Sequence, residues 1–211
     1  LGRLLDTLEV LGLSGRTVVA LTSDHGEDMG ERDLRGLGRH QHQLHDDLLH
    51  VPLVLHDPRE AFPVRRVAAQ VRLADLMPTL LELAGLEPPA DVDGRSLLPL
   101  MRGTESGDRI AFAALSTADL RMAAIRTRDA KLIVQLPLPS QTSESPRESL
   151  YDLRADPLEQ RSLAQTGDPR QAVLAGALHA WMRELVARGE AELPPDAQGA
   201  TPALREQLRA L

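Results

Sequence analysis

The chain has 211 residues, 42% hydrophobic but only 2% aromatic, and carries a formal net charge of -7. That is enough apolar material for a core of Leu, Val and Ala, and the acidic balance argues against a nucleic-acid surface, which needs a basic patch. Cysteine is absent, which excludes disulfides, cysteine-ligated zinc and a cysteine nucleophile; no apolar run reaches the ~18 residues of a membrane-spanning helix.

Leu1, Leu4, Leu5, Leu8 and Leu11 recur at helical spacing, and Gly12 follows as a stop signal. "TVVALT" (17–22) is a continuous apolar, β-branched run and predicts a strand buried on both faces, as in a parallel sheet. "HVPLVLHD" (50–57) reads the same way, with Pro52 near the strand start, where a missing N–H is tolerated. Helix, buried strand, loop and buried strand together predict an α/β sheet with covering helices. "RLADLMPTLLELAGLEPP" (72–89) predicts a helix with Asp75 as N-cap, Pro78 in the first turn and Gly85 at its end. "DVDGRSLLPLM" (91–101) predicts a turn and a short helical segment.

From residue 110 the pattern changes. "IAFAAL", "RMAAIRT" and "AKLIVQL" predict short strands, the last two joined through Arg128 and Asp129 as a hairpin. "PLPSQTSESPRES" (137–149) reads as an exposed loop and "LYDL" (150–153) as one more strand. Leu174, Leu178, Trp181 and Leu185 mark an amphipathic helix over 171–188 that ends at Gly189. The division that follows is an α/β portion over 1–109, a small antiparallel subdomain with one helix over 110–188, and a loosely held tail over 189–211. The lone lysine, Lys131, among 24 basic residues reads as compositional bias.

Two stretches carry chemistry. "TSDHGED" (22–28) follows the first predicted strand, and ligands in open α/β sheets bind beyond the carboxyl ends of strands. Asp24 and His25 offer an oxygen and a nitrogen donor that suit one divalent cation. Gly26 lets the backbone turn away, and Glu27 and Asp28 either support the histidine or face water. The plainer alternative is a polar turn containing a helix N-cap. The second stretch, "RHQHQLHDDLLH" (39–50), holds four of the seven histidines. His40 and His42 lie in a loop returning toward the sheet, where an imidazole can protonate a leaving group, bind an anionic oxygen or ligate a metal. His45 and His50 read better as satisfied or surface histidines.

"TVVALTSDHGEDMGE", "HDDLLHVPLVLHDP", "LADLMPTLLELAGLEPPADVDGRSLLPLM", "AAIRTRDAKLIV" and "LYDLRADPLEQRSLA" resemble five ordered blocks of the sulfatase family, within the alkaline-phosphatase-like superfamily. The resemblance implies the C-terminal part of an alkaline-phosphatase-like α/β domain followed by a small antiparallel subdomain. It implies Asp24 and His25 as ligands of a divalent metal, calcium in most sulfatases and manganese or zinc in relatives that cleave phosphate or phosphonate esters. His in place of the Asn of many eukaryotic arylsulfatases resembles the bacterial branch.

In "HDDLLHVP", His45 takes the place of a family Tyr and His50 that of an Arg. His40, or His42 after it, matches the upstream group that contacts the sulfate in many members. Asp156, Pro157 and Glu159 match a turn that closes the subdomain. The family nucleophile, formed within Cys/Ser-X-Pro-X-Arg, is not among these residues: "SESPR" (143–147) lacks the residue between Pro and Arg and falls after the metal motif. The pair of Asp ligands from the N-terminal half is absent too.

The resemblance therefore implies the C-terminal part of a sulfate-ester hydrolase that is inactive by itself and needs the missing N-terminal half of its catalytic domain. The alternatives are a phosphate or phosphonate ester hydrolase, a phosphoethanolamine-type transferase, or a non-catalytic remnant or interaction module. The compartment stays open among periplasmic, membrane-associated and cytoplasmic.

Overall fold

The computed structural model describes residues 1–30, 42–59, 66–138 and 145–189. In chain order the elements are α1 (Gly2–Val10), β1 (Val19–Thr22), α2 (Asp46–Leu49), β2 (Leu53–His56), α3 (Leu76–Leu83), α4 (Leu98–Arg102), β3 (Ala111–Ser116), β4 (Arg121–Arg126), β5 (Ala130–Leu136), β6 (Arg147–Asp152) and α5 (Arg170–Ala187). They fall into two compact units, Leu1–His25 with His50–Arg109, and Gly26–Leu49 with the chain from Ile110 onward. Residues 26–49, grouped with 1–109 in the sequence division, thus cluster with the C-terminal sheet. Among the described residues no helix is long and apolar enough to cross a membrane.

In the first unit, α1 ends where the leucine spacing stops, and Gly12 supplies the left-handed residue after it, at φ 68°. No residue of α1 is buried. β1 and β2 pair antiparallel, with Val19 opposite His56 and Thr22 opposite Leu53. This corrects the expectation of two parallel strands covered on both faces: Leu21 and Val54 are exposed and the rest of each strand is at most half-buried. An apolar run reports what a strand prefers to touch, not the direction in which it pairs.

The second half of this unit is organised by Asp75. It stands at the N-cap position of α3, but its side chain does not cap that helix. The fully buried carboxylate instead accepts hydrogen bonds from the Arg72 and Arg95 backbone N–H groups, at 2.9 and 3.0 Å, and from the Arg72 guanidinium at 3.0 Å. Buried Arg109 stands 3.1 Å away and donates to the Arg95 and Ser96 carbonyls. Burial opposes ionisation, yet the hydrogen bonds from Arg95 and Arg72 hold Asp75 below the ordinary carboxylate range. This arrangement ties the 94–97 turn to the start of α3.

The second unit is a four-stranded antiparallel meander in the order β3-β4-β5-β6. Arg128 and Asp129 form the β4–β5 turn, closed by the Thr127 N–H donating to the Ala130 carbonyl. Alternation along β5 sends Leu132 and Val134 to one face, where they pack with Ile125 and Leu150 against Leu174 and Leu178 of α5. There the rings of Phe112 and Trp181 stack 4.9 Å apart. Ile133 points to the other face, packed with Ala124, Tyr151 and Leu153 against Leu44. The meander is therefore covered by α5 on one side and by the 42–49 segment on the other.

Candidate functional site

Asp24 and His25 lie just beyond the end of β1. Asp24 is 88% exposed and His25 42%, and their side chains approach to 3.8 Å between Oδ2 and Nε2. The His25 N–H donates to Asp24 Oδ1 at 3.0 Å, and the Ser23 hydroxyl donates to the His25 carbonyl at 2.6 Å. The bond from the His25 N–H holds the Asp24 carboxyl below its usual range, so it is anionic at neutral pH. An ionised oxygen donor beside an exposed imidazole suits two ligands of one divalent cation. Among the described residues no group of three or more His, Asp or Glu side chains stands together to hold a metal, so this pair supplies only part of a ligand set.

Gly26 does not have the positive φ that would mark a torsional need for glycine. It is required by close approach: its N–H donates to the Leu48 carbonyl at 2.7 Å, and an added Cβ would lie 2.0 Å from the Asp47 carbonyl oxygen. Gly26 is thus built against the backbone of α2.

Asp28 is buried. It receives the Gly30 N–H on Oδ1 at 2.8 Å and the Gln43 amide on Oδ2 at 3.0 Å, and His42 Nε2 stands 3.1 Å from the same oxygen. Asp28, read from sequence as supporting His25 or facing water, is buried with His42 Nε2 beside it. A carboxylate at Nε2 favours the tautomer that carries its N–H there, with Nδ1 as the acceptor nitrogen. His42 Nδ1 is buried and has no hydrogen-bond partner among the described residues. Gln43 also donates to Asp47 Oδ2 at 3.0 Å, while its carbonyl oxygen stands 2.6 Å from His45 Nδ1. His45 Nε2 is 3.2 Å from the Tyr151 hydroxyl, the two rings meeting edge to face. His45 is a satisfied structural histidine and His50 is exposed. His40 lies outside the described residues, as do the tail from residue 190 and Ser143 and Glu144 of the "SESPR" stretch.

A buried ionic cluster escaped the sequence reading. Lys131 Nζ stands 2.8 Å from Asp46 Oδ1 and 3.0 Å from Glu159 Oε1, all within the second unit. Arg126 forks onto Asp46 through Nε and Nη2 at 2.8–3.1 Å. Glu159, assigned from sequence to a turn, is wholly buried and accepts the Asp46 N–H at 2.6 Å. Burial works against the Asp46 charge, but Arg126 and Lys131 outweigh it and bring the carboxyl to about 2. Burial also dominates at Glu159 and raises it. The signal available in sequence was the lone lysine inside an apolar strand, where a charge needs partners.

A model of the sulfatase family matches residues 1–86, which include Asp24, His25 and both histidine-bearing turns. Steryl-sulfatase of Mus musculus is 30% identical over 220 residues, covering 89% of this chain and 35% of the relative. These matches support a sulfatase-family assignment for the chain. It spans about a third of the length of this relative. Two solved structures place the chain in the alkaline-phosphatase-like fold. BT4656, solved in complex with its substrate D-glucosamine-2-N,6-O-disulfate, superposes with a TM-score of 0.63 at 25% identity, over 92% of this chain and 39% of that one. A phosphonate monoester hydrolase from Silicibacter pomeroyi superposes with a TM-score of 0.66 at 26% identity, over 88% of this chain and 38% of that one.

Proposed function

We propose that this sulfatase-family chain supplies part of the active site of a metal-dependent hydrolase of sulfate esters. The observation that carries the reading is the Asp24–His25 pair at the end of β1, an ionised carboxylate and an exposed imidazole 3.8 Å apart, within the residues matched by the family model. These two residues would hold a divalent cation, calcium or else manganese or zinc. Such an ion, when bound, neutralises ester charge and orients a nucleophile.

The chain's own residues have separable tasks. Asp24 offers a permanent anion near neutral pH, and His25 adds a nitrogen donor fixed by its backbone bond to Asp24. His42, oriented by Asp28, is the candidate for binding a sulfuryl oxygen or protonating the leaving alkoxide, with His40 as the other candidate. The nucleophile would come from the part of the catalytic domain outside these 211 residues, so the chain alone should be inactive. A second reading, hydrolysis of phosphonate or phosphate monoesters, is favoured by the likeness to the Silicibacter pomeroyi hydrolase.

The test uses a protein carrying the complete catalytic domain, assayed with an aryl sulfate and an aryl phosphonate monoester. Sulfate hydrolysis should dominate, and Asp24→Ala should lower kcat/KM by roughly a thousandfold, about 4 kcal/mol of transition-state stabilisation. An Asp24→Ala variant with wild-type kinetics would remove Asp24 from the site. Preferential turnover of the phosphonate would replace the first reading by the second.

A further inference from the structure

Lys131 is the only lysine of the chain, and its side chain is wholly buried. Alternation along β5 turns it away from α5 and toward the face covered by residues 42–49. There it meets Asp46, the first residue of α2, and Glu159, whose other oxygen takes the Asp46 N–H. With Arg126 on Asp46, two cations face two carboxylates. Apolar residues of similar size often stabilise such a position as well or better than a buried ion pair, so stability alone is a weak account of the cluster. What it does supply is geometry, because each partner accepts in a defined direction. It pins α2 at Asp46, while two residues further on the Leu48 carbonyl accepts the N–H of Gly26, the residue that follows His25, and the Asp47 carbonyl lies close against it.

We infer that Lys131 is a positioning residue: its ammonium, gripped by Asp46 and Glu159, fixes the turn on which the backbone leaving the Asp24–His25 pair is anchored. Its bearing on metal binding rests on the proposed role of that pair; its bearing on the backbone does not. A substitution that removes the charge but keeps the length, Lys131→Met, should free α2 while leaving the meander's hydrogen-bond ladder in place.

The test follows amide hydrogen exchange in the 211-residue chain. In Lys131→Met the Gly26 amide and those of residues 46–49 should exchange roughly tenfold faster or more, while the β4–β5 ladder changes by less than about twofold. Lys131→Arg, which keeps a cation, should restore part of the protection. In parallel, manganese or calcium is titrated into a protein carrying the complete catalytic domain and into its Lys131→Met variant, which should bind about tenfold more weakly than that parent. If the parent binds neither ion, the ligand reading of Asp24 and His25 fails and the exchange comparison still decides the role of Lys131. Equal loss of protection in the turn and the ladder, or no change in either, overturns the inference. Should Lys131→Met fail to fold, Asp46→Asn, which leaves Lys131 its Glu159 partner, carries the same comparison.

Discussion

A methyl group at residue 26 would sit 2.0 Å from the Asp47 carbonyl oxygen, so Gly26→Ala must displace either α2 or the 24–28 turn. Overpacking of this kind costs about 1–3 kcal/mol. Gly176, inside α5, is the natural contrast: a Cβ there meets nothing within 4 Å, and alanine should stabilise by about 1 kcal/mol through helix propensity. Urea unfolding of both variants checks the pair; a stabilised Gly26→Ala would show that the close approach is not rigid.

Asp46 gives a pH signature with a definite sign. Its folded carboxyl sits at about 2, against 3.8 in the unfolded chain. Its contribution is therefore complete above about pH 4 and disappears as the pH falls toward about 2, a difference of about 2 kcal/mol. Glu159, raised by burial, acts in the opposite sense: its contribution is present at low pH and is lost as the pH rises through its folded value. The stability gap between the parent and Asp46→Asn should narrow between about pH 5 and pH 2. A gap that stays constant would take proton-linked pairing out of the account. Such residues differ in how far sequence reveals them. Asp24 and His25 stand out in the sequence because charge follows an apolar run, and the structure brings their side chains to 3.8 Å. The partners of Asp28 and Lys131, 14 and 85 residues away, were not legible, because no local rule joins residues that meet only through folding.

At the scale of elements, α5 shows what local pattern captures well. Leucine at 174 and 178 repeats at helical spacing, and both side chains are buried against the meander. Leu178 is fully buried, so Leu178→Ala should cost about 2–5 kcal/mol, whereas Val173→Ala, on the exposed side of the same helix, should change stability by less than about 0.5 kcal/mol. Thermal or urea unfolding separates the two, and equal effects would mean that α5 packs through another face. The β4–β5 hairpin was equally legible, since two residues join two β-rich runs. The direction of β1 and β2 was not, because a continuous apolar run has no handle on pairing. Nor was the placement of residues 42–49, where Leu44 and Leu48 are two buried side chains four apart in a polar stretch. Loop-like composition hid a segment that serves as one layer of the second unit.

At the scale of the whole molecule, most of the exposed large apolar side chains among the described residues belong to the first unit. The meander is covered on both faces, while α1 and β2 present Val10, Leu11 and Val54 at 85%, 63% and 55% exposure. Burying a leucine or valine side chain is worth about 1.5–3 kcal/mol, so exposed side chains of this kind favour a covering surface. The 211-residue chain on its own should therefore associate as concentration rises, with light scattering giving masses above its 23.0 kDa. Leu4→Lys combined with Leu11→Lys should restore the monomer, since both leucines lie exposed on α1 and its C-terminal cap. The same pair of substitutions has the opposite sense in a protein carrying the complete catalytic domain: there the α1 face would be packed, and two buried lysines should destabilise it by several kcal/mol. Solubility gained in the short chain together with stability lost in the long one would identify α1 as a domain-interior helix. A long form indifferent to both lysines would instead make α1 a surface helix, and the association of the short chain would then have to arise from β1 and β2.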